Sequence, residues 1–309
     1  MMSANAKKST VLTEESSIMK SDLPPLGTIF TLGDTITEEQ RAFLNIWGYL
    51  HFRGVVKPDE VTRVLSELVR IEELWLSEGR TKINGVPIFW GRDVDGSRFI
   101  QRFPFTSEFS EDIRTLVRSE RFEPIRQMIG DDIRVGDAEK DGVVINRYKN
   151  VPGSVYPRLG WHTDGLRDLF YGRMPQPMLN VGVHFNEVSR ADGGLRLIPG
   201  SQNQDFWRMA FAKPYFVWHR EDPREICVET QPGDVTIHDG RLWHRVARSQ
   251  NLGNASLRHS MYVPYLKGPY EPKTDWTPTP GYHHLGRVLR AVRMANPRVW
   301  PAHIRSLRR

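Results

Sequence analysis

The sequence has 309 residues, of which 39% are hydrophobic and 26% are charged, and this is the composition of a globular protein large enough for one sizeable domain. Its net charge of +6 favours anionic partners such as carboxylates, phosphates or acidic carrier proteins, whereas the scattered arginines form no dense basic block and argue against nucleic-acid binding. The single cysteine, Cys227, excludes an intrachain disulfide bond or a cysteine metal cluster, and no apolar run approaches the ~20 residues of a membrane span.

The N-terminal segment predicts a tail outside the folded domain. Residues 1–22 are rich in Ser, Lys, Glu and Thr, a composition typical of disorder. They lack the apolar core of a signal peptide, so we expect a cytoplasmic protein. We expect residues 23–309 to form a single domain, because no repeat or linker divides them.

Two helices and a strand are predicted after the tail. Thr37 and the acidic residues that follow it are typical of a helix start, and Gly48 is typical of a helix end. Residues 49–52 then predict a short strand. Pro58 opens a second helix, in which apolar residues recur at helical spacing: Val61, Val64, Leu65, Leu68 and Ile71. We interpret both helices as support for the core.

Residues 80–142 have weaker periodicity. Residues 87–91 predict a strand or a buried loop, and residues 98–103 predict a strand. Pro124 suits the first turn of a short helix that ends near Gly130. This region could contribute to a substrate pocket, but its periodicity is too weak to show whether it does.

From residue 143 onward, short apolar runs alternate with turn residues, which predicts a sandwich or barrel with its core at about residues 143–265. The predicted strands cover residues 143–148, 178–185, 195–198, 234–238 and 257–265. In the second of them, alternation separates an apolar face from a polar one. The apolar face carries Leu179, Val181, Val183 and Phe185, and the other carries Asn180, Gly182 and His184.

The C-terminal segment predicts one further helix. Leu285, Val288, Leu289 and Val292 recur at helical spacing, with arginines between them and beyond. The simpler interpretation is an amphipathic helix that packs on the domain and exposes a basic face to solvent. The alternative is a docking surface for an acidic carrier protein or another anionic partner.

One stretch combines metal-binding residue types in a β context: Trp161-His162-Thr163-Asp164-Gly165. Side chains two positions apart lie on the same face of an extended strand, so His162 and Asp164 can reach one ion. A second histidine would complete a two-histidine, one-carboxylate triad, which suits Fe(II) and leaves coordination positions open. A rival pair, His219 and Glu221, lies in a charged loop where a solvated role is favoured.

Three later histidines could supply the distal ligand: His238, His244 and His259. We favour His244, which follows Trp243, and interpret the other two as structural. Arg258 comes at the start of the last predicted strand, and its guanidinium suits the far carboxylate of a dicarboxylic co-substrate. Ser260 shares the face of Arg258 and could add a hydroxyl.

Taken together, these segments resemble the phytanoyl-CoA dioxygenase family of Fe(II)- and 2-oxoglutarate-dependent oxygenases. The resemblance extends over about residues 35–265. The motifs that carry it are Trp161-His162-Thr163-Asp164, Gly193-Gly194-Leu195-Arg196-Leu197-Ile198-Pro199-Gly200-Ser201, Gly233-Asp234-Val235, Trp243-His244 and Arg258. The glycine-rich run between the two metal motifs is the most specific part. Gln202 is a departure, since relatives often have histidine there.

The resemblance implies a mainly β fold with flanking helices, built on a double-stranded β-helix core of the jelly-roll or cupin-like kind. It also implies that His162, Asp164 and His244 hold Fe(II), and that Arg258 holds the far carboxylate of 2-oxoglutarate. Three more residues are candidates for contacts to 2-oxoglutarate or substrate, with a structural hydrogen bond as the alternative for each: Asn146, Arg147 and Asn180.

The implied reaction consumes O2 and 2-oxoglutarate, releases CO2 and succinate, and hydroxylates an unactivated carbon of a small molecule. Related halogenases have glycine or alanine at the carboxylate position, so Asp164 favours hydroxylation over halogenation. The same ligands also serve desaturation, epoxidation and ring formation. Two competing hypotheses are a cupin-like metal enzyme that does not use 2-oxoglutarate and a binding protein on an oxygenase fold. Arg258 argues against the first, and the intact triad argues against the second.

Substrate identity and oligomeric state stay open at this point. Nine tryptophans and many arginines fit a pocket for an apolar or aromatic body with an acid group, and they fit ordinary packing equally well. The candidate substrates are a natural-product intermediate, an amino acid derivative, and an acyl thioester on CoA or on a carrier.

Overall fold

The computed structural model describes residues 18–281, apart from residues 131, 171 and 217 and the side chain of residue 167. The predicted C-terminal helix and residues 1–17 of the predicted tail lie outside the described residues. The last residues of the predicted tail, Lys20–Asp22, form one turn of 3-10 helix. None of the described helices is both long and apolar enough to cross a bilayer.

Six α-helices are present in the described part of the chain: α1 (Glu38–Trp47), α2 (Pro58–Ser77), α3 (Glu111–Val117), α4 (Glu123–Arg126), α5 (Leu166–Phe170) and α6 (Phe206–Phe211). The strands before the β-rich region are β1 (Tyr49–Phe52), β2 (Lys82–Ile83), β3 (Val86–Pro87), β4 (Phe89–Arg92), β5 (Arg98–Phe103) and β6 (Arg134–Val135). Those within it are β7 (Val144–Asn150), β8 (Leu159–His162), β9 (Met178–His184), β10 (Gly194–Leu197), β11 (Ile226–Cys227), β12 (Val235–Asp239), β13 (His244–Ala247) and β14 (Gly253–Leu266).

Helix α1 begins and ends where its sequence predicts. The Thr37 side chain accepts a hydrogen bond from the Gln40 backbone N–H, and the Gln40 side chain accepts one from the Thr37 N–H, which satisfies two free donors of the first turn. Gly48 ends the helix at φ 79°. A Cβ at Gly48 would lie 2.4 Å from Oε1 of Gln202, so only glycine lets this helix end approach the loop that follows β10.

Helix α2 supports the larger sheet from outside. Pro58 occupies its first turn, and its buried residues recur at helical spacing: Val61, Val64, Leu68, Ile71 and Trp75. These side chains belong to the same hydrophobic cluster as the outward-facing residues of the sheet, which include Ile145, Val181 and Met261. The helix therefore seals one face of the sheet against water.

Two antiparallel sheets form the core. The larger sheet has the strand order β1-β12-β9-β14-β7-β5-β4, and β6 pairs with β14. The smaller sheet has the order β11-β10-β13-β8. Alternate strands of the chain thus pair in opposite sheets, which is the arrangement of a jelly roll. The predicted fold class is confirmed.

The inner face of the larger sheet is polar. Because side chains alternate along a strand, the residues between the apolar positions of β7, β9, β12 and β14 point toward the smaller sheet. They are Asn146, Tyr148, Asn180, His184, Thr236, His238, Arg258, Ser260 and Tyr262. Tyr148 packs against Val246 of β13, which shows that this face meets the smaller sheet. A candidate site must lie between the two sheets.

The strands whose bounds the sequence did not predict are short. Strands β8 and β13 have four residues each, and β6 and β11 have two. Their sequences mix glycine, arginine and histidine with few β-branched residues, so they carry no clear alternation. They exist because the neighbouring strands supply hydrogen-bond partners.

Candidate metal and cofactor site

The paired strands β8 and β13 bring two histidines together. His162 ends β8, His244 begins β13, and the two are direct cross-strand partners. Their ring centroids lie 4.0 Å apart. The expectation that one strand carries both members of the His-x-Asp pair needs correction, since β8 ends at His162 and Asp164 lies in the turn beyond. A hydrogen bond of 2.7 Å from the Asp164 N–H to the Gly240 carbonyl holds that turn in place.

Three ligand atoms converge at this point. Oδ1 of Asp164 lies 4.0 Å from Nε2 of His162 and 3.7 Å from Nε2 of His244. All three atoms lie within 4.8 Å of one another, and this is the one such group of potential metal ligands within the described residues. Two imidazole nitrogens and one carboxylate oxygen are the donor set that suits non-haem Fe(II). The residues present therefore fit the ion.

Backbone carbonyls orient both imidazoles. Nδ1 of His162 lies 2.9 Å from the Gly160 carbonyl, and Nδ1 of His244 lies 2.9 Å from the Leu242 carbonyl. A carbonyl can only accept, so Nδ1 carries the proton in each ring and the Nε2 lone pair is free. Each histidine is thus held in the tautomer that can bind a metal.

Burial keeps the ligands in their binding forms. It lowers the pKa of His162, and it lowers the pKa of His244 well below the usual range, so both rings are neutral at pH 7. Burial opposes ionisation of Asp164, but the nearby His244 and His238 rings hold the pKa of its carboxyl well below the usual range. Neutral histidines and an ionised carboxylate bind a cation without first losing protons.

Arg258 lies on the inner face of β14 and is 5% exposed. Its Nη1 donates to the Ala247 carbonyl at 3.3 Å, its guanidinium lies over the Tyr148 ring, and its Nε has no hydrogen-bond partner among the described residues. Burial lowers its pKa to about 10, so the group stays charged at pH 7. A buried cation with unused donors is suited to an anion.

Ser260 lies two residues beyond Arg258, on the same face. It is buried, and it lines a small cavity together with Arg258, Tyr148, Val246 and Tyr262. The structure therefore brings Arg258 and Ser260 to one cavity, as the sequence predicts.

The other three predicted cofactor contacts have different surroundings. Nδ2 of Asn180 donates to Oδ2 of Asp164 at 3.1 Å, so Asn180 contacts a candidate ligand. Oδ1 of Asn146 accepts a hydrogen bond from Arg102 at 3.0 Å. Arg147 lies on the opposite face of β7, where Nη1 contacts both carboxylate oxygens of Glu72 on α2 at 2.7 and 2.8 Å. Arg147 therefore faces away from the cavity and makes a structural contact, the alternative that its sequence position left open.

Sequence reasoning missed two inner-face residues. Arg102 on β5 points between the sheets, where it pairs with Asp141 at 2.5 Å and donates to Asn146. His238 was interpreted as structural, yet its Nε2 lies 3.3 Å from Oδ2 of Asp164. The alternation of β12 could have shown that His238 shares a face with Thr236, but not that this face meets Asp164.

The rival pair does not form a comparable group. Glu221 is 78% exposed in its side chain, and its carboxylate lies 3.9 Å from Arg245. The backbone carbonyl of His219 accepts from the same arginine. This loop therefore carries ion pairs at the surface, as expected.

Buried histidines predict an acid-sensitive fold. His184 lies on the inner face with Nε2 2.9 Å from Thr236 Oγ1, and burial lowers its pKa to about 3. Histidines of the unfolded chain take up protons near pH 6.5, whereas the folded one does not, so stability is lost as the pH falls below that value. We expect His184 alone to reduce the free energy of unfolding by about 1–2 kcal/mol between pH 7 and pH 5. Urea unfolding of the metal-free protein measures this change, and equal midpoints at the two pH values would contradict it.

Comparisons with known proteins agree with this geometry. The profile of the family described as Phytanoyl-CoA dioxygenase (PhyH) matches residues 47–258. A probable alpha-ketoglutarate-dependent hypophosphite dioxygenase of Stutzerimonas stutzeri is 27% identical over 218 residues, which are 67% of this chain and 71% of that protein.

Solved structures share the fold. SnoK, a non-heme alpha ketoglutarate dependent carbocyclase from nogalamycin biosynthesis, aligns with a TM-score of 0.54 at 18% identity, over 84% of this chain and 94% of that chain. HygX from Streptomyces hygroscopicus, with nickel and 2-oxoglutarate bound, aligns with a TM-score of 0.53 at 20% identity, over 78% of this chain and 90% of that chain. Since the family profile spans most of the sequence, this chain belongs to the phytanoyl-CoA dioxygenase family and is a 2-oxoglutarate-dependent non-haem iron oxygenase.

Proposed function

We propose that the protein hydroxylates an unactivated carbon of a small apolar molecule, with Fe(II) held by His162, Asp164 and His244. The observation that carries this proposal is the convergence of those three ligand atoms, together with a cavity lined by Arg258 and by Val246, which follows His244 by two residues on β13. A complete ligand triad supports an enzyme over a binding protein. A buried arginine with unused donors supports a carboxylate co-substrate over a cupin-like reaction without one.

The spacing along β13 suits 2-oxoglutarate. His244 and Val246 share a face of the strand and are therefore about 7 Å apart. Val246 lines the cavity of Arg258, and Arg258 donates to the carbonyl of the next residue, Ala247. This separation matches the length of a five-carbon diacid, so the keto acid end would lie at the metal while the far carboxylate lies against Arg258 and Ser260.

Each part of the site has a physical role in this reaction. Bound iron and 2-oxoglutarate together supply the oxidising power, and the protein provides ligands and orientation. Arg258 binds and orients the far carboxylate, and the buried Tyr148 ring beside it excludes water. Asp164 occupies the position that must be vacant for a halide, which supports hydroxylation over halogenation. Desaturation, epoxidation and ring formation use the same ligands and are distinguished by product analysis.

An exposed apolar patch next to the triad supports an apolar substrate. We define the aromatic mouth as Phe170, Met174, Trp207, Phe211, Phe216 and Trp218, which are all exposed large hydrophobic side chains. Helices α5 and α6, which carry three of them, contact each other. The ring of Phe216 lies 4.9 Å from the His162 ring, so the patch extends to a candidate ligand.

The geometry of the aromatic mouth suits a flat ring or an acyl chain. The rings of Trp207 and Phe211 are stacked at an interplanar angle of 18°, and they are 69% and 72% exposed. Phe216 adopts φ +61°, a left-handed conformation that costs free energy in a residue with a bulky side chain. Exposed rings held beside a reactive centre favour a substrate larger and less polar than the hypophosphite named for the relative from Stutzerimonas stutzeri.

A substrate screen tests the proposed function. The anaerobically reconstituted enzyme is supplied with Fe(II), 2-oxoglutarate, O2 and aromatic or acyl compounds, both as free molecules and as thioesters. We expect succinate to form in proportion to a hydroxylated product for at least one apolar compound. Succinate that never exceeds the substrate-free rate, with product formed without 2-oxoglutarate, would favour the cupin-like alternative.

Replacement of Trp207 tests the aromatic mouth. Loss of one exposed ring contact of about 1 kcal/mol in Trp207→Ser should raise KM for the substrate about fivefold and leave KM for 2-oxoglutarate unchanged. Trp276→Ser is the matched control, because Trp276 is 94% exposed and lies in the segment that packs against Gly85. Equal substrate KM values in the two variants would reject the aromatic mouth as the substrate contact.

A further inference from the structure

The two carboxylate oxygens of Asp164 have different surroundings. Oδ1 faces Nε2 of His162 and of His244. Oδ2 faces away from them, toward Nδ2 of Asn180 at 3.1 Å and Nε2 of His238 at 3.3 Å. One oxygen is therefore directed to the candidate metal position, and the other to two side chains of the larger sheet.

Asn180 and His238 belong to neighbouring strands and are direct cross-strand partners of β9 and β12. Cross-strand partners project their side chains from the same face at close range, so both can reach one oxygen. An adjacent pair of strands in the centre of a sheet is a rigid support. This placement differs from the loop position of Asp164 itself, which follows the end of β8.

His238 has no evident structural role. It is 1% exposed, and within the described residues neither of its ring nitrogens has a hydrogen-bond partner of good geometry. An unsatisfied buried imidazole destabilises the fold, and an apolar residue of similar size would remove that cost. The ring centroid of His238 lies 4.4 Å from that of His244, so the side chain is directed at the candidate metal site.

We propose that His238 and Asn180 are positioning residues that together hold Oδ2 of Asp164, so that the carboxylate binds the metal through Oδ1 alone. This inference rests on the proposed iron site. An unrestrained carboxylate can rotate and bind a cation through both oxygens, which would occupy a position needed by the co-substrate or by O2. Nδ2 of Asn180 donates a hydrogen bond to Oδ2, and Nε2 of His238 lies 3.3 Å from the same oxygen, so rotation of the carboxylate gives up one hydrogen bond and one close polar contact.

Two substitutions of similar volume separate this role from a packing role. His238→Leu removes the donor, whereas His238→Gln can place an amide N–H near the position of Nε2. The metal-free variants are first compared by thermal unfolding. Anaerobic titration with Fe(II) in the presence of 2-oxoglutarate, followed by the visible charge-transfer band, then gives the metal dissociation constant and the band position.

We expect His238→Leu to weaken Fe(II) binding by about 10- to 100-fold and to shift the band, as changes beside a metal ligand do. The Tm of the metal-free protein should stay the same or rise, because an unsatisfied buried group is removed. His238→Gln should restore the dissociation constant to within about threefold of the wild-type value and return the band toward its original position.

Several outcomes would overturn the inference. Unchanged Fe(II) affinity and an unchanged band in His238→Leu would show that His238 does not hold Asp164. Weaker binding accompanied by an equal loss of Tm in the metal-free protein, without rescue by His238→Gln, would show a packing role. Failure of the proposed iron site is distinguishable, because the wild-type protein itself would then show neither stoichiometric Fe(II) binding nor a band.

Discussion

We expect Asp164→Ala to abolish turnover while the protein keeps its fold. The substitution removes the one anionic ligand of the triad, and two neutral imidazoles cannot balance the charge of a divalent ion as well. The loss should exceed the ~100-fold effect of changes that only touch a ligand's neighbours. Substrate-coupled succinate formation measures turnover. Far-UV circular dichroism, together with the Tm of the metal-free protein, checks the fold.

A surface carboxylate provides the control for this experiment. Glu221 belongs to the rival motif and is 78% exposed in its side chain, so Glu221→Ala should retain full activity. If Asp164→Ala retains wild-type turnover, the triad assignment is wrong. If instead Glu221→Ala is inactive with its fold intact, the metal lies in the other motif.

We expect Arg258→Gln to raise KM for 2-oxoglutarate about 100-fold. The guanidinium can donate two hydrogen bonds to one carboxylate, and each such bond to a charged group contributes about 1.5 kcal/mol or more. Their combined loss of about 3 kcal/mol corresponds to roughly a 100-fold weaker interaction. Fe(II) binding without 2-oxoglutarate should be unaffected, because Arg258 lies away from the triad. Steady-state kinetics with varied 2-oxoglutarate measure the effect.

Arg147→Gln is the matched control, since it changes the same residue type in the neighbouring strand on the opposite face. Its loss leaves the half-buried carboxylate of Glu72 unpaired, so we expect the free energy of unfolding to fall by about 2 kcal/mol. KM for 2-oxoglutarate should not change. An elevated KM in Arg147→Gln, or an unchanged one in Arg258→Gln, would exchange the roles assigned to the two arginines.

Elements with strong local signals were predictable from the sequence. The capping residues of α1, the apolar spacing of α2 and the alternation of β9 appear in the structure close to their predicted bounds. The two-residue strands β6 and β11 were not predictable, because their partners lie far away in the chain. Short strands depend on tertiary hydrogen bonds more than on their own composition.

Candidate site residues were predictable by type and order, but their orientation was not. A histidine, an aspartate, a second histidine and an arginine in this chain order are rarely needed for packing alone, and they therefore indicate a metal and cofactor site: His162, Asp164, His244 and Arg258. In contrast, Asn146 and Arg147 are adjacent, and only the register of β7 decides that Asn146 lies on the inner face of the sheet and Arg147 faces α2. The proposed role of His238 was not predictable either, since it depends on where the turn after β8 places Asp164.

The position of the iron tests the central claim most directly. Crystals grown anaerobically with Fe(II) and 2-oxoglutarate can be measured on both sides of the iron absorption edge, so that anomalous scattering locates the ion. We expect one strong peak about 2.0–2.2 Å from Nε2 of His162, Nε2 of His244 and Oδ1 of Asp164. A peak at any other place in the chain, or bonds to fewer than these three side chains, would contradict the account.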